Sequence, residues 1–245
     1  MQWVRSLIFV INITAAIPVF GIVFLPWALF SRQGAITACK SWTYYMLWCA
    51  RWMVGIRYEI RGTPPTDEVM IAAKHQSALD IYMIFIGIPA GKYIMKRELI
   101  YAPVLGQYAM KLGCVPVDRG KRSQAIRKMV EDVEKGAQAP GQLIIYPQGT
   151  RIKPGVKAPY KVGTAVLYEE LGQDCVPVAT NAGIFWPRRG IMRKPGLAVV
   201  EFLPRIEAGL DRDVFMERLE REVEEASDRL MAEAGFDHDG VDRNS

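Results

Sequence analysis

Hydrophobic positions along the chain change character once, near Ile56. Before it, Ser6 to Phe30 carries no charged residue and is flanked by Arg5 and Arg32, and a helix of that length exceeds the ~30 Å hydrocarbon core of a bilayer. Phe24, Leu25, Pro26 and Trp27 make its far end bulky, unlike the small residues of a signal-peptide cleavage site, so the segment is expected to be retained. Pro18 and Pro26, with Gly21 between them, argue against a straight helix and allow a bend or a re-entrant hairpin. Trp42 to Ile56 mixes Trp42, Tyr44, Tyr45, Trp48 and Trp52 with Lys40 and Arg51, the composition of a helix at headgroup level. The alternative is that these aromatics belong to the core of the soluble domain.

After Ile56, short apolar runs alternate with helical periods, the pattern of an α/β domain. Strands are predicted near Arg57 to Arg61, Val69 to Ala73, Tyr93 to Met95, Cys114 to Val117, Leu143 to Tyr146, Cys175 to Ala179 and Leu197 to Phe202. Ile126, Met129, Val130 and Val133 recur at helical spacing, as do Phe215, Leu219, Val223, Ala226 and Leu230. The expected organisation is a membrane-anchoring helical segment over 1–56, an α/β domain over 57–236 and a polar, disordered tail over 237–245.

The 245 residues allow one sizeable α/β domain plus an accessory segment. A net charge of +5 admits nucleic acid, an anionic membrane surface or a phosphorylated substrate, and the apolar N-terminus favours the membrane over nucleic acid. Cys39, Cys49, Cys114 and Cys175 are too far apart for a zinc or redox pair, and the plain expectation is a reducing, cytoplasmic setting.

His238 lies in the polar tail, so histidine chemistry in the domain rests on His75. A strand is expected to end at Lys74 and a helix to begin near Ser77. On one continuous helix, His75 and Asp80 would face about 140° apart. With His75 on a turn and Asp80 in the first helical turn, the carboxylate folds back to accept the Nδ1 proton, leaving Nε2 to take another. A satisfied turn histidine beside an aspartate at a helix N-terminus gives the same spacing. Ser77 competes as a nucleophile, although it also suits a helix N-cap and no G-x-S-x-G elbow surrounds it.

Gly113 to Arg119 is a strand-like run in which Arg119 could fork onto a phosphate. In Tyr146-Pro147-Gln148-Gly149-Thr150-Arg151 a strand enters a turn, Gly149 admits close backbone approach, and Thr150 and Arg151 supply donors. Gly149 to Tyr168 holds no acid but has Arg151, Lys153, Lys157 and Lys161, and Arg188, Arg189, Arg193 and Lys194 form a second basic cluster. Contact with anionic lipid is favoured over plain solvation for both.

These blocks, in this order, resemble the 1-acylglycerol-3-phosphate acyltransferase family across nearly the whole chain. Lys74 to Asp80 is similar to its H-x4-D block, Gly113 to Arg119 to its second, Tyr146 to Arg151 to its third, usually Phe-Pro-Glu-Gly-Thr-Arg, and Val176-Pro177-Val178 to its fourth. Gln148 stands where the family usually has Glu, and Pro116 replaces a common aromatic. The resemblance implies a mixed central sheet flanked by helices, like glycerol-3-phosphate acyltransferase, with an N-terminal hydrophobic helical membrane anchor. It implies His75 and Asp80 as the catalytic pair, Arg119, Gly149, Thr150 and Arg151 as binders of the acceptor phosphate, and Ser77, Gln148 and Lys161 as secondary candidates.

The reaction implied moves a fatty acyl group from acyl-CoA or acyl-carrier protein, as co-substrate, to the sn-2 hydroxyl of 1-acylglycerol-3-phosphate, a lysophospholipid acceptor in the bilayer, giving phosphatidic acid on the cytoplasmic side of the inner membrane. No metal or other cofactor is implied. Rival expectations are another acceptor, such as a lyso-ornithine lipid, a thioester hydrolase using the same site, or a non-enzymatic membrane-binding module.

Overall fold

A computed structural model describes residues 1–102, 104–117 and 141–237. The expected helix around Ile126 to Val133, Asp118, Arg119 and the tail from His238 lie outside them. Among the described residues, seven strands form one sheet: β1 (Ile56–Gly62), β2 (Met70–Ala73), β3 (Lys92–Lys96), β4 (Val115–Val117), β5 (Leu143–Ile145), β6 (Cys175–Thr180) and β7 (Gly196–Phe202). Each falls on a run expected from the hydrophobic pattern.

The spatial order is β1-β7-β6-β2-β5-β3-β4, parallel except for the antiparallel β6/β7 pair. The sheet is therefore mixed, as expected. Its central strands are apolar along their whole length because both faces are covered. On β2, Ile71 and Ala73 point into one core with Ile144, Val176 and Val178, while Met70 and Ala72 point into the opposite core with Leu143, Ile145 and Cys175. The two-residue side-chain period of a strand produces this division.

The second core is closed by α6 (Gly163–Leu171) and the C-terminal helix α8 (Arg212–Glu233), and the short α7 (Ala182–Phe185) follows β6. Phe215, Leu219, Val223, Ala226 and Leu230 are all buried, the stripe that helical spacing predicts, and Asp211 caps the first turn by accepting from the Asp213 amide.

The first core is closed by α1 (Gln2–Val23), α3 (Arg32–Cys49) and α4 (Leu79–Gly87), with α2 (Leu25–Phe30) between α1 and α3 and α5 (Leu105–Leu112) packed at the side. Pro18 is accommodated inside α1, whereas the chain breaks at Phe24 and restarts with Pro26 in the first turn of α2, where its missing N–H costs nothing. Phe9, Ile13, Met46 and Leu47 belong to the same core cluster as the sheet residues. The N-terminal helices are thus packed onto the sheet along one side.

Their other side is apolar and open: Val4, Ile8, Ile11, Val19 and Ile22 of α1 are exposed, and so are Tyr44, Trp48 and Trp52. The aromatics of 42–56 divide by helical period, because Trp42 and Tyr45 pack against the core while Tyr44, Trp48 and Trp52 line the outer face. The core reading therefore holds for Trp42 and Tyr45, while Tyr44, Trp48 and Trp52 are left exposed. Among the described residues, α1 alone is long and apolar enough to cross a membrane, with mean hydropathy 2.3 over a window that is 28% buried in the fold.

Candidate active site

The turns that follow β2 and β5 meet because these strands are parallel neighbours, with Ala72 opposite Ile145 in register. Sites in such sheets form outside the carboxyl ends of the strands. β2 ends at Ala73, residues 74–78 form the turn, and α4 begins at Leu79, two residues later than the sequence suggested.

His75 Nδ1 lies 2.9 Å from Asp80 Oδ1, and Asp80 is fully buried in the first turn of α4. An ionised carboxylate only accepts, so Nδ1 carries the proton and donates, which leaves the lone pair on Nε2. The other carboxylate oxygen accepts from the amides of Gln76 at 2.8 Å and Ser77 at 2.7 Å. The backbone of the turn thereby fixes the aspartate, and the aspartate fixes the imidazole.

Ser77 is fully buried, donates to the Trp186 carbonyl at 2.7 Å and accepts from the Leu79 amide at 3.0 Å. The hydroxyl therefore anchors the turn to the chain after α7 and caps the start of α4. Its position does not suit a nucleophile. The His75 carbonyl accepts from the Ile152 amide at 2.8 Å, joining the histidine to the second turn.

In that second turn Tyr146 stacks on the imidazole, with ring centroids 3.9 Å apart and planes inclined by 20°. Burial pushes the Tyr146 phenol well above its ordinary range, so the ring stays neutral against the histidine. The Gly149 amide donates to the Tyr146 carbonyl at 2.8 Å and Gly149 has φ +70°, a conformation that favours glycine. A Cβ there would come within 2.6 Å of Lys161 Nζ, so the lysine ammonium lies directly over the turn.

Thr150 is exposed and Arg151 half-buried, with the Arg151 carbonyl accepting from the Arg188 guanidinium at 2.9 Å. Lys157, Lys161, Arg188, Arg189 and Lys194 are exposed as well, and the two basic clusters of the sequence meet at the Arg188–Arg151 contact. The stack of Tyr146 on His75 and the bond from the Ile152 amide to the His75 carbonyl bring the segment that carries Gly149, Thr150 and Arg151 against the His75 turn.

Two sequence expectations are corrected. Gln148 is only 4% exposed and its amide nitrogen faces the Ala158 carbonyl and Glu224, so it is turned inward instead of toward an acceptor. Arg193 is not part of the basic surface: it is buried, lies 4.4 Å over the Trp186 ring and donates to the carbonyls of Gly190, Ile191 and Met192. Burial pulls its guanidinium down to about 10. Neither the stacking of Tyr146 on His75 nor the pairing of Glu224 with Lys74 is evident in the sequence pattern. A lysine at the end of a fully apolar strand was the available signal, since a buried ammonium requires an acid nearby.

The profile of the Acyltransferase family matches residues 56–181, the stretch from β1 through β6 that contains both turns. The chain belongs to the Acyltransferase family. Within it, the chain is 27% identical over 237 residues to the 1-acyl-sn-glycerol-3-phosphate acyltransferase of Pseudomonas aeruginosa, covering 95% of this chain and 92% of that one. It is 31% identical over 159 residues to the protein of the same name from Limnanthes alba, covering 63% of this chain and 56% of that one. The crystal structure of the 1-acyl-sn-glycerophosphate acyltransferase of Thermotoga maritima superposes with a TM-score of 0.77 at 18% identity, covering 95% of this chain and all of that one. The last comparison extends the shared fold across the N-terminal helices.

Proposed function

We propose that this protein transfers a fatty acyl group from a thioester, acyl-CoA or acyl-carrier protein, to the sn-2 hydroxyl of 1-acylglycerol-3-phosphate, giving phosphatidic acid. The observation that carries this reading is the His75–Asp80 pair, its tautomer set by a carboxylate that two amides and the imidazole hold in place. A glycerol hydroxyl is a weak nucleophile at neutral pH, and a positioned imidazole contributes typically ~10²- to 10⁴-fold by removing its proton. His75 Nε2 takes that proton, the alkoxide oxygen attacks the thioester carbonyl, and the tetrahedral intermediate collapses with loss of the thiolate, which recovers the proton. With Ser77 Oγ engaged on both sides, direct transfer without an acyl-enzyme fits the site best.

Gly149, Thr150, Arg151 and Lys161 would hold the acceptor phosphate, as would Arg119. A phosphate held by such groups places the hydroxyl at the base, so remote binding lowers the entropic part of the barrier. The lysophosphatidate named by the relatives has the anionic headgroup that suits these cations.

The open apolar side of α1 and α3 would rest in the bilayer, with Trp48 and Trp52 at headgroup level. Because α1 is packed on the sheet, that placement would bring the site close to the membrane surface. The proposed side is the cytoplasmic face of the inner membrane, where a soluble donor meets a lysolipid. No metal or other cofactor is required by this scheme.

The test is acylation of single lysolipids in vesicles with labelled acyl-CoA and, separately, labelled acyl-carrier protein. Lysophosphatidate is expected to be the preferred acceptor. Equal transfer to lysophosphatidylcholine or a lyso-ornithine lipid would remove the acceptor assignment, and lysolipid-independent release of free fatty acid would indicate a hydrolase.

A further inference from the structure

Behind the site, three side chains from its two turns converge on one carboxylate of the C-terminal helix. Lys74, the residue before His75, is 2% exposed, and its ammonium donates to both oxygens of Glu224 at 2.6 Å. The Tyr160 hydroxyl donates to Glu224 Oε1 at 2.9 Å, and Gln148 Nε2 lies 3.4 Å from the same oxygen. Gln148 Oε1 is buried without a hydrogen-bond partner among the described residues, so this amide is held through its nitrogen. Glu224 lies outside residues 56–181, the part matched by the family profile.

The arrangement follows from strand alternation. Lys74 continues the side of β2 that carries Met70 and Ala72, toward α8, while His75 continues the opposite side, toward α4 and Asp80. The two adjacent residues thus face a structural carboxylate and a catalytic one on either side of the strand end. Further along α8, Ser227 accepts from the Thr180 backbone amide and Met231 Sδ accepts from the Gln76 side-chain Nε2, so the helix braces the carboxyl edge at three levels. Replacing an ion pair that has a buried partner such as Lys74 by apolar side chains of similar volume is often neutral for stability, so what the charges add here is a fixed geometry.

We propose that Glu224 is a positioning residue for acyl transfer, setting the spacing between the His75 turn and the 146–161 segment by gathering Lys74, Gln148 and Tyr160 on its carboxylate. This rests on His75 being the general base.

The test compares Glu224→Gln, Gln148→Glu, the double variant Gln148→Glu/Glu224→Gln and the apolar pair Lys74→Met/Glu224→Leu, in kcat, KM and the pH profile of kcat/KM. Glu224→Gln is expected to lower kcat at least tenfold. It should also move the acid limb to lower pH, because the positive charge left beside the turn disfavours the imidazolium. The double variant returns one carboxylate to the cluster from the other side and is expected to recover most of kcat.

Lys74→Met/Glu224→Leu should fold and still show lowered kcat. A folded Glu224→Gln with wild-type kcat and pH profile would overturn the proposal, as would a double variant no more active than Glu224→Gln. If Glu224→Gln fails to fold, wild-type kcat in the apolar pair overturns it. His75→Ala in the same assay separates the two claims: activity there sinks the mechanism itself, whereas its loss beside an unaffected Glu224→Gln sinks only the role of Glu224.

Discussion

The two turns that meet at the carboxyl edge of the sheet are built in opposite ways. From Lys74 to Asp80 all but one residue is buried, and the polar side chains of His75, Gln76, Ser77 and Asp80 each have a bonded partner inside the protein. From Tyr146 to Lys161 the chain passes from the buried Pro147 and Gln148 to the exposed Lys157 and Lys161, with the left-handed Gly149 and Gly155 between. Under the proposed function, the difference separates two tasks. A proton-transfer pair must be held in one geometry before substrate arrives, so its atoms are committed to the protein. A rim that receives a mobile anionic headgroup must keep donors uncommitted to internal bonds, so it stays at the surface.

If this division is right, substitutions in the first turn should lower kcat and those in the second should raise KM. The largest effect is expected from Asp80→Asn, which leaves the volume unchanged but frees the imidazole tautomer, lowering kcat by about 10²- to 10⁴-fold with KM little altered. Steady-state kinetics with lysophosphatidate as the varied substrate measure both terms. Arg151→Ala should act on the other side of the comparison, raising KM for the acceptor by about 10- to 100-fold at low salt, the effect of one charge-assisted hydrogen bond, and less at high salt. A loss confined to kcat would blur the distinction.

Ser77→Ala sharpens it from within the first turn. The Trp186 carbonyl and the Leu79 amide would lose their partner, at about 1–3 kcal/mol in chemical or thermal unfolding. Acyl transfer should persist within about tenfold, far above the near-complete loss that removal of a nucleophile gives.

The smallest effect concerns pH. Burial pushes the Cys114 thiol from 9.0 up to about 11 and raises Cys175 as well. A raised thiol favours its neutral form in the fold, so this contribution is fully present below pH 9 and lost as pH climbs through about 11. Thermal unfolding followed from pH 8 to 11 should show a falling midpoint, and both thiols should resist alkylation at pH 8 until the protein unfolds.

Much of the fold was legible because its signals are local. All seven strands follow from apolar runs, and the buried stripe of α8 from the spacing of Phe215, Leu219, Val223, Ala226 and Leu230. The His75–Asp80 turn was legible for the same reason: the two residues are close in sequence, and helical geometry excludes any arrangement but a turn. What escaped is what depends on partners far along the chain. Lys74 and Glu224 are separated by 150 positions, and Ser77 and Trp186 by 109. Arg193 read as one more surface cation because its neighbours Arg188, Arg189 and Lys194 are surface cations, while the indole it covers and the Ser6 hydroxyl that accepts from its amide come together only in the fold.

The central claim, that His75 held by Asp80 is the base for acyl transfer, is tested most directly by single-turnover acylation of lysophosphatidate with His75→Ala, its fold verified by thermal unfolding. The rate is expected to fall by about 10²- to 10⁴-fold while acceptor binding stays within a few-fold. A folded His75→Ala that transfers acyl groups at the wild-type rate would contradict it.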